Sequence, residues 1–172
     1  MKRIFLLSDT HGYLDQRILH YAEQADEIWH AGDMGKLEVC DQLNAIAPLR
    51  GVYGNIDGHR VRQEYPEELY FECEGCRIYM IHIGGYPGRY TPKAKAFLDR
   101  KPVDLFISGH SHILKVVQDP KRQLLHINPG ACGQHGFHQT RTALQFVVDG
   151  KEFKDLQVIE FGKRGKIKSE ES

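Results

Sequence analysis

The sequence predicts an α/β fold in which two packed sheets are covered by helices on their outer sides. The first observation is that the amino-terminal third alternates short apolar strands with amphipathic helices. The second is that the later part of the chain is rich in strands joined by turns, as in antiparallel pairs. The third is size: 172 residues, 41% of them hydrophobic, suggest one domain with a core large enough to fold alone.

The first third of the chain contains three predicted strands linked by two predicted helices. Apolar runs predict strands at 3–7, 27–31 and 49–53. Apolar residues at helical spacing predict helices over 15–25 and 37–47. Asp15 stands at the start of the first helix, where its side chain is a suitable N-cap.

The pattern then changes to hairpins. Strands at 69–73 and 77–83 flank Glu74-Gly75, which reads as a two-residue hairpin tip. Cys73 and Cys76 form a CxxC there, but no second CxxC completes a zinc site, so we interpret them as thiols beside a turn. A helix at 91–99 and a buried strand at 103–107 follow. The remaining strands are predicted at 114–118, 124–127, 142–148 and 153–161, with a turn at Asp149-Gly150.

Charge and hydropathy exclude several classes of protein. Lys plus Arg equals Asp plus Glu at 23 each, so no general field favours a stable complex with nucleic acid or a membrane surface. No apolar stretch approaches the ~20 residues of a membrane span, and the first apolar run is too short for a signal peptide. We therefore expect a cytoplasmic protein, with a domain over 1–162 and a disordered tail over 163–172.

Polar residues follow five successive predicted strands. They are Asp9, His11, Asp33, Asn55, His82, His110 and His112. One Asp or His alone is ordinarily a turn former or a surface residue, but seven at strand ends converge where parallel sheets bind ligands. Clustered carboxylates repel one another unless a cation holds them together. Mixed imidazole and oxygen donors suit Mn, Fe, Zn or Ni better than Ca or Mg.

The ordered motifs resemble those of the calcineurin-like metallophosphoesterase superfamily. They read Asp9-x-His11, Gly32-Asp33, Gly54-Asn55, His82 and Gly109-His110-x-His112, within about residues 2–148. The small size, GNID where many members have GNHE, and INPGA at 127–131 are most similar to the compact bacterial and archaeal phosphodiesterase branch. The resemblance implies a four-layer α/β/β/α sandwich of two mixed sheets flanked by helices.

The resemblance also implies a ligand set for two divalent metal ions, with Mn expected first and Ni, Fe or Zn as alternatives. One ion would be held by Asp9, His11, Asp33 and His112, and the second by Asp33, Asn55, His82 and His110. Asp33 would bridge them, and Asp33, Asn55 and His82 would be the catalytic residues. Side chains two apart on an extended segment share a face, so a tight turn would have to send His110 and His112 to different ions.

The implied activity is hydrolysis of a phosphodiester small molecule or nucleotide by a bridging hydroxide activated by two metals. In many members a histidine after the Asn protonates the leaving group, but here Ile56 occupies that position. Either the substrates have good leaving groups or another residue is the acid. Asp57, His59, His135 and His138 are the candidates nearby in sequence or in a Gly-rich loop.

A different class of function is a non-catalytic protein-binding scaffold of the same fold, like the related retromer subunit. Fold alone does not separate the two. A scaffold is free to lose ligands, whereas this chain keeps all seven positions, which favours the enzyme. A protein that binds nucleic acid without cutting it is disfavoured because there is no basic stripe. The physiological substrate, the native metals and the oligomeric state, a homodimer included, stay open.

Overall fold

The computed structural model describes residues 1–165 and contains two five-stranded sheets packed face to face. In chain order the elements are β1 (Lys2–Leu7), α1 (Gln16–Glu23), β2 (Glu27–His30), α2 (Leu37–Asn44), β3 (Leu49–Gly51), α3 (His59–Glu64), β4 (Glu68–Cys73), β5 (Cys76–Ile81), α4 (Pro92–Arg100), β6 (Leu105–Ile107), β7 (Leu114–Asp119), β8 (Leu124–Pro129), β9 (Thr140–Asp149) and β10 (Glu152–Lys163).

Both sheets are mixed. The first has the order β10-β9-β1-β2-β3, with β1, β2 and β3 parallel and the last two strands of the chain added antiparallel. The second has the order β4-β5-β6-β8-β7, with β5, β6 and β8 parallel and the two edge strands antiparallel. In each sheet the parallel strands end at a common edge, which is where such sheets bind ligands.

Alternation along the strands separates the central core from the two outer layers. Ile4 and Leu6 of β1 point into the core between the sheets, where they are buried with Met80 and other residues of the second sheet. Phe5 and Leu7 point the other way, into a cluster with residues of α1 and α2. On the far side, Tyr79 of β5 belongs to the cluster that α4 covers. The predicted four-layer α/β/β/α sandwich is therefore confirmed.

Local capping explains where the helices begin. The Asp15 carboxylate accepts the Ile18 N–H at 3.0 Å, which confirms the predicted N-cap of α1. Thr91 caps α4 in the same way, by accepting the Ala94 N–H at 3.4 Å. The sequence did not predict α3, because this helix has six residues, only Val61 buried, and no side-chain cap.

The structure also tests the predicted hairpin tip and part of the predicted tail. Glu74 and Gly75 have φ of 52° and 84°, as the tip of a two-residue hairpin requires, and Cys73 pairs opposite Cys76. All four cysteines are free and buried. Strand β10 ends at Lys163, one residue inside the segment predicted as a tail, and 166–172 lie outside the described residues. Within residues 1–165, no helix is long and apolar enough to cross a membrane.

Candidate metal centre

The seven polar residues singled out in the sequence lie together where the parallel strands of both sheets end. Asp9 and His11 follow β1, Asp33 follows β2, Asn55 follows β3, His82 follows β5, and His110 and His112 follow β6. Their side chains form two neighbouring groups that meet across the two sheets. The prediction that these strand ends converge describes the structure correctly.

The first group is Asp9, His11 and His112, with one donor atom from each residue lying within 4.8 Å of the other two. Nε2 of His112 is 3.1 Å from Oδ1 of Asp9, and Nε2 of His11 is 3.8 Å from the same oxygen. Three donor atoms this close together suit a cation that prefers imidazole and carboxylate ligands.

The second group is Asp33, His82 and His110, which meet the same 4.8 Å limit. Nε2 of His82 is 3.2 Å from Oδ2 of Asp33. Asn55 belongs with this group because its Oδ1 is 3.1 Å from Nδ1 of His110. The amide oxygen therefore lies beside His110, one of the ligands that the resemblance groups with Asn55.

Asp33 stands between the two groups. Its Oδ2 is 3.4 Å from Nε2 of His11 and 3.2 Å from Nε2 of His82. Its other oxygen accepts the backbone N–H of Ile56 at 3.1 Å. One carboxylate oxygen thus lies between both groups while the other is held by the backbone.

Five of the seven residues have left-handed backbone conformations. The φ angles are 54° at Asp9, 49° at His11, 58° at Asp33, 71° at His110 and 63° at His112. Asp and His adopt this region more readily than most residues, yet each instance costs roughly 1–3 kcal/mol and is typical of functional sites. At the GHSH segment the Ser111 N–H also bonds to the Gly109 carbonyl at 2.8 Å. This tight turn sends His110 and His112 to different groups, as the ligand assignment required.

Glycines let these turns approach one another. A Cβ on Gly54 would overlap Asp33, and one on Gly109 would overlap the Ser8 hydroxyl. Both glycines directly precede a candidate ligand, so their role is close backbone approach.

Hydrogen bonds to the second ring nitrogen or the second carboxylate oxygen orient two of the donors. Nδ1 of His82 donates to the Ala31 carbonyl at 2.7 Å, which leaves Nε2 facing Asp33. Oδ2 of Asp9 accepts from the Ser8 hydroxyl at 2.6 Å and the His110 N–H at 3.2 Å, which leaves Oδ1 facing the histidines. His82 and Asp9 therefore each present one atom to the centre.

The donor geometry fits a bound cation. Within the described residues, Nε2 of His11 and Nε2 of His82 are buried and have no hydrogen-bond partner, although both lie within 3.4 Å of Asp33. The short distances therefore lack the directions of hydrogen bonds. Buried polar atoms are normally satisfied, and donors that crowd together without bonding are arranged as ligands of a common ion.

Carboxylates and imidazoles shift one another's pKa values. Burial would raise the pKa of Asp33, but the neighbouring His11 and His82 outweigh it and hold that pKa below its usual range. Asp33 and then Asp9 raise the pKa of His11 to about 9. Burial lowers the pKa of His82, but Asp33 and Asp9 produce a net rise. In the metal-free protein at neutral pH, a proton on His11 therefore offsets carboxylate charge, and a bound cation would replace it.

The four residues considered as proton donors have different surroundings. The buried carboxylate of Asp57 accepts backbone N–H groups of Met34, Gly35 and Gly54 at 2.8–3.1 Å, so it organises the loops. His59 is exposed at the start of α3 and does not line the cavity of the centre. His138 is bonded to Gly133 and to His112. His135 is exposed in that cavity, with its ring centroid 4.9 Å from that of His11.

One supporting residue was not singled out in the sequence. His30 ends β2 and is fully buried, and burial lowers its pKa to about 4. Its Nδ1 accepts the Gly32 N–H at 3.1 Å, and its Nε2 lies 3.0 Å from the Thr10 hydroxyl. It thereby links the loops that carry His11 and Asp33. The only sequence signal is its position two residues before Gly32 in the HAGD segment.

Comparison with known proteins agrees with this geometry. Residues 1–151 match the family model described as the calcineurin-like phosphoesterase superfamily domain. A "probable metallophosphoesterase" of Methanothermobacter thermautotrophicus is 29% identical over 135 residues, which are 74% of this chain and 76% of that protein. Another of Methanocaldococcus jannaschii is 31% identical over 134 residues, 74% of this chain and 67% of that protein.

Solved structures share the fold. A conserved protein of Streptococcus pneumoniae TIGR4, described as a predicted phosphoesterase, superposes with a TM-score of 0.70 at 23% identity, over 92% of this chain and 89% of that chain. Vps29 of Entamoeba histolytica in complex with Zn²⁺ gives 0.69 at 17% identity, over 93% and 99%. With the family model matched over most of its length, this chain belongs to the calcineurin-like phosphoesterase superfamily.

Proposed function

We propose that the protein is a phosphodiesterase that works with two divalent cations bridged by Asp33. The observation that carries the proposal is the position of Asp33 Oδ2, which lies 3.4 Å and 3.2 Å from the free nitrogens of His11 and His82. A single oxygen shared between two ligand groups is the arrangement of paired-metal hydrolases, whose ions lie ~3.5–4 Å apart.

The proposal gives each residue a role. Asp9, His11 and His112 hold one cation, Asn55, His82 and His110 hold the other, and Asp33 serves both. Imidazole and oxygen donors without a thiolate favour Mn²⁺, with Ni, Fe and Zn as the alternatives. When bound, such a pair of cations lowers the pKa of a coordinated water and neutralises charge on the phosphoryl oxygens.

An open cavity gives a phosphoester access to this centre. It has a volume of about 620 Å³, and residues of both ligand groups line it. Ile56 also lines it, at the position where the resemblance leads one to expect a proton-donating histidine. An isoleucine donates no proton, so the proposal favours diesters whose leaving alcohols are acidic.

The test is a metal-dependence screen. Protein stripped of metal is reloaded separately with Mn²⁺, Zn²⁺, Ni²⁺ or Fe²⁺ and assayed with bis(p-nitrophenyl) phosphate, a diester, and p-nitrophenyl phosphate, a monoester. We expect hydrolysis of the diester only in reloaded protein, with Mn²⁺ among the active ions. His112→Ala should lose this activity, whereas His20→Ala, on the exposed side of α1, should keep it. Metal-bound protein that hydrolyses neither compound would contradict the proposal.

A protein-binding scaffold is the second candidate function. Vps29 structures are among those with the same fold, and two exposed apolar side chains stand at the rim of the centre. Phe137 is 99% exposed and Ile113 is 61% exposed. The metal screen separates the candidates, because a scaffold would bind cations without turnover of either phosphoester.

A further inference from the structure

A second cavity adjoins the metal centre on the outer face of the second sheet. It has a volume of about 260 Å³, slightly below the ~300–1,000 Å³ of drug-sized ligand pockets. His110, Ser111 and Ile113 line both this cavity and the cavity of the metal centre. A molecule with a phosphate at the centre would therefore place its next group within reach of the second cavity.

The walls of this cavity suit a flat apolar group. Exposed side chains of Ile83, Tyr86 and Ile113 line it, and covering them would remove apolar surface from water. The Lys115 ammonium lies 3.9 Å from the centroid of the Tyr86 ring, a cation–π contact that fixes the ring in place. An aromatic ligand can stack on such a ring with little loss of side-chain freedom.

A buried side chain also offers this cavity a hydrogen-bond acceptor. His126 is 1% exposed, and its Nδ1 is 3.2 Å from the Phe106 carbonyl oxygen. A carbonyl only accepts, so Nδ1 carries the proton and Nε2 has a free lone pair. Burial lowers the pKa of His126 to about 4, which keeps the ring neutral. Among residues 1–165, no group is a hydrogen-bond partner of Nε2.

We propose that this cavity binds the organic group of the substrate and selects a planar aromatic ring that carries an N–H donor, which is the chemistry of a nucleobase. The ring would lie against Tyr86, and its N–H would donate to Nε2 of His126. An aliphatic group would cover Nε2 of His126 without giving it a hydrogen-bond donor, and a sugar alone would leave the apolar walls uncovered. The inference rests on the proposed function, since it assigns the phosphate to the metal centre.

Binding to Mn²⁺-loaded protein, measured by calorimetry, tests the inference. The ligands are adenosine and uridine 5′-monophosphate, their N6,N6-dimethyl and N3-methyl forms, which lack the base N–H donor, and methyl phosphate, which has no ring. We expect at least one nucleotide to bind about tenfold more tightly than methyl phosphate, the scale of one base–aromatic stack. The methylated form of that nucleotide should bind several-fold more weakly. Methyl phosphate binding as tightly as both nucleotides would overturn the inference.

Two variants assign the effect to the cavity. His126→Phe keeps a flat ring and removes the acceptor, so the preference for the unmethylated base should disappear. Tyr86→Ala changes an exposed side chain and should weaken nucleotide binding about tenfold while methyl phosphate binds as before. Val116→Ala, exposed on β7 and outside the cavity, is the control and should behave as wild type. If Tyr86→Ala leaves the ratio of nucleotide to methyl phosphate affinity unchanged, the inference is overturned even should His126→Phe fail to fold.

Failure of this inference is distinguishable from failure of the proposed function, because the binding measurements need no hydrolysis. Base-dependent binding without hydrolysis of any diester would overturn the proposed phosphodiesterase activity and support base binding in the cavity. Hydrolysis of bis(p-nitrophenyl) phosphate without any base preference in binding would overturn only the inference that the cavity binds a base.

Discussion

Nδ1 of His112 lies 3.2 Å from Nδ1 of His138, and the opposite nitrogen of each ring is engaged as well. Nε2 of His138 is 2.9 Å from the Gly133 carbonyl oxygen, so it must donate, and its Nδ1 must accept. The proton between the rings therefore belongs to His112. In the tautomer that binds a cation, His112 keeps this proton on Nδ1 and offers Nε2, which lies 3.1 Å from Oδ1 of Asp9, to the ion.

Removing His138 should therefore weaken one metal site. Loss of a hydrogen bond that orients a ligand typically costs ~10–100-fold in metal affinity. We expect His138→Ala to bind the cation held by Asp9, His11 and His112 that much more weakly, as measured by Mn²⁺ or Zn²⁺ titration. His20→Ala on α1 serves as the control. Two equivalents bound by His138→Ala with wild-type affinity would show that the ring pair has no such role.

Placing a histidine at position 56 should supply a proton donor. Ile56 lines the cavity of the centre and is exposed, so the larger polar ring is tolerated there. A well-placed general acid contributes ~10²–10⁴-fold. We expect Ile56→His to accelerate hydrolysis of alkyl diesters and to change nitrophenyl diesters little. Ile56→Gln controls for polarity. If the wild type already hydrolyses alkyl diesters as fast as nitrophenyl diesters, the premise is wrong.

Metal binding should release protons. Asp33 and Asp9 raise the pKa of His11 to about 9, so at pH 7 that ring is protonated in the metal-free protein and must lose its proton to bind a cation. Apparent affinity should rise with pH up to about 9. Calorimetry in two buffers of different ionisation enthalpy at pH 7 measures the released protons directly. Equal heats in the two buffers would contradict this prediction.

His126 should make the fold sensitive to acid independently of metal. Its pKa is about 4 in the folded protein and ~6.5 when unfolded, so below pH 6.5 the unfolded chain binds a proton that the folded chain excludes. The contribution of neutral His126 to the free energy of unfolding is fully present above about pH 6.5. As the pH falls towards 4, the free energy of unfolding drops by about 3 kcal/mol. Urea unfolding of metal-free wild type and His126→Phe between pH 7 and 4.5 checks this. The variant should lose less stability on acidification, and parallel losses would refute the assignment.

The sequence was sufficient to predict the candidate ligands at the strand ends. It was not sufficient to predict the residues that support the site through hydrogen bonds. Asp33 or His110 could be recognised because each follows an apolar run within a short motif, and such local patterns survive in the linear sequence. The partnership of His112 with His138 joins residues 26 apart, and that of His126 with Phe106 joins residues 20 apart. No local pattern encodes either contact. The role of Asp57 likewise depends on backbone N–H groups that only folding brings to its carboxylate.

The most direct test of the account is the number of cations bound by Asp33→Asn. Asparagine tolerates the φ of 58° at this position and keeps the size of the side chain, but it removes the charge shared by both ligand groups. Elemental analysis and activity are measured on wild type, Asp33→Asn and the exposed control Asp41→Asn after Mn²⁺ loading and removal of free metal. We expect two equivalents in wild type and control, and loss of metal occupancy together with activity in Asp33→Asn. Two equivalents still bound to Asp33→Asn would contradict the assignment of Asp33 as the bridge between the two sites.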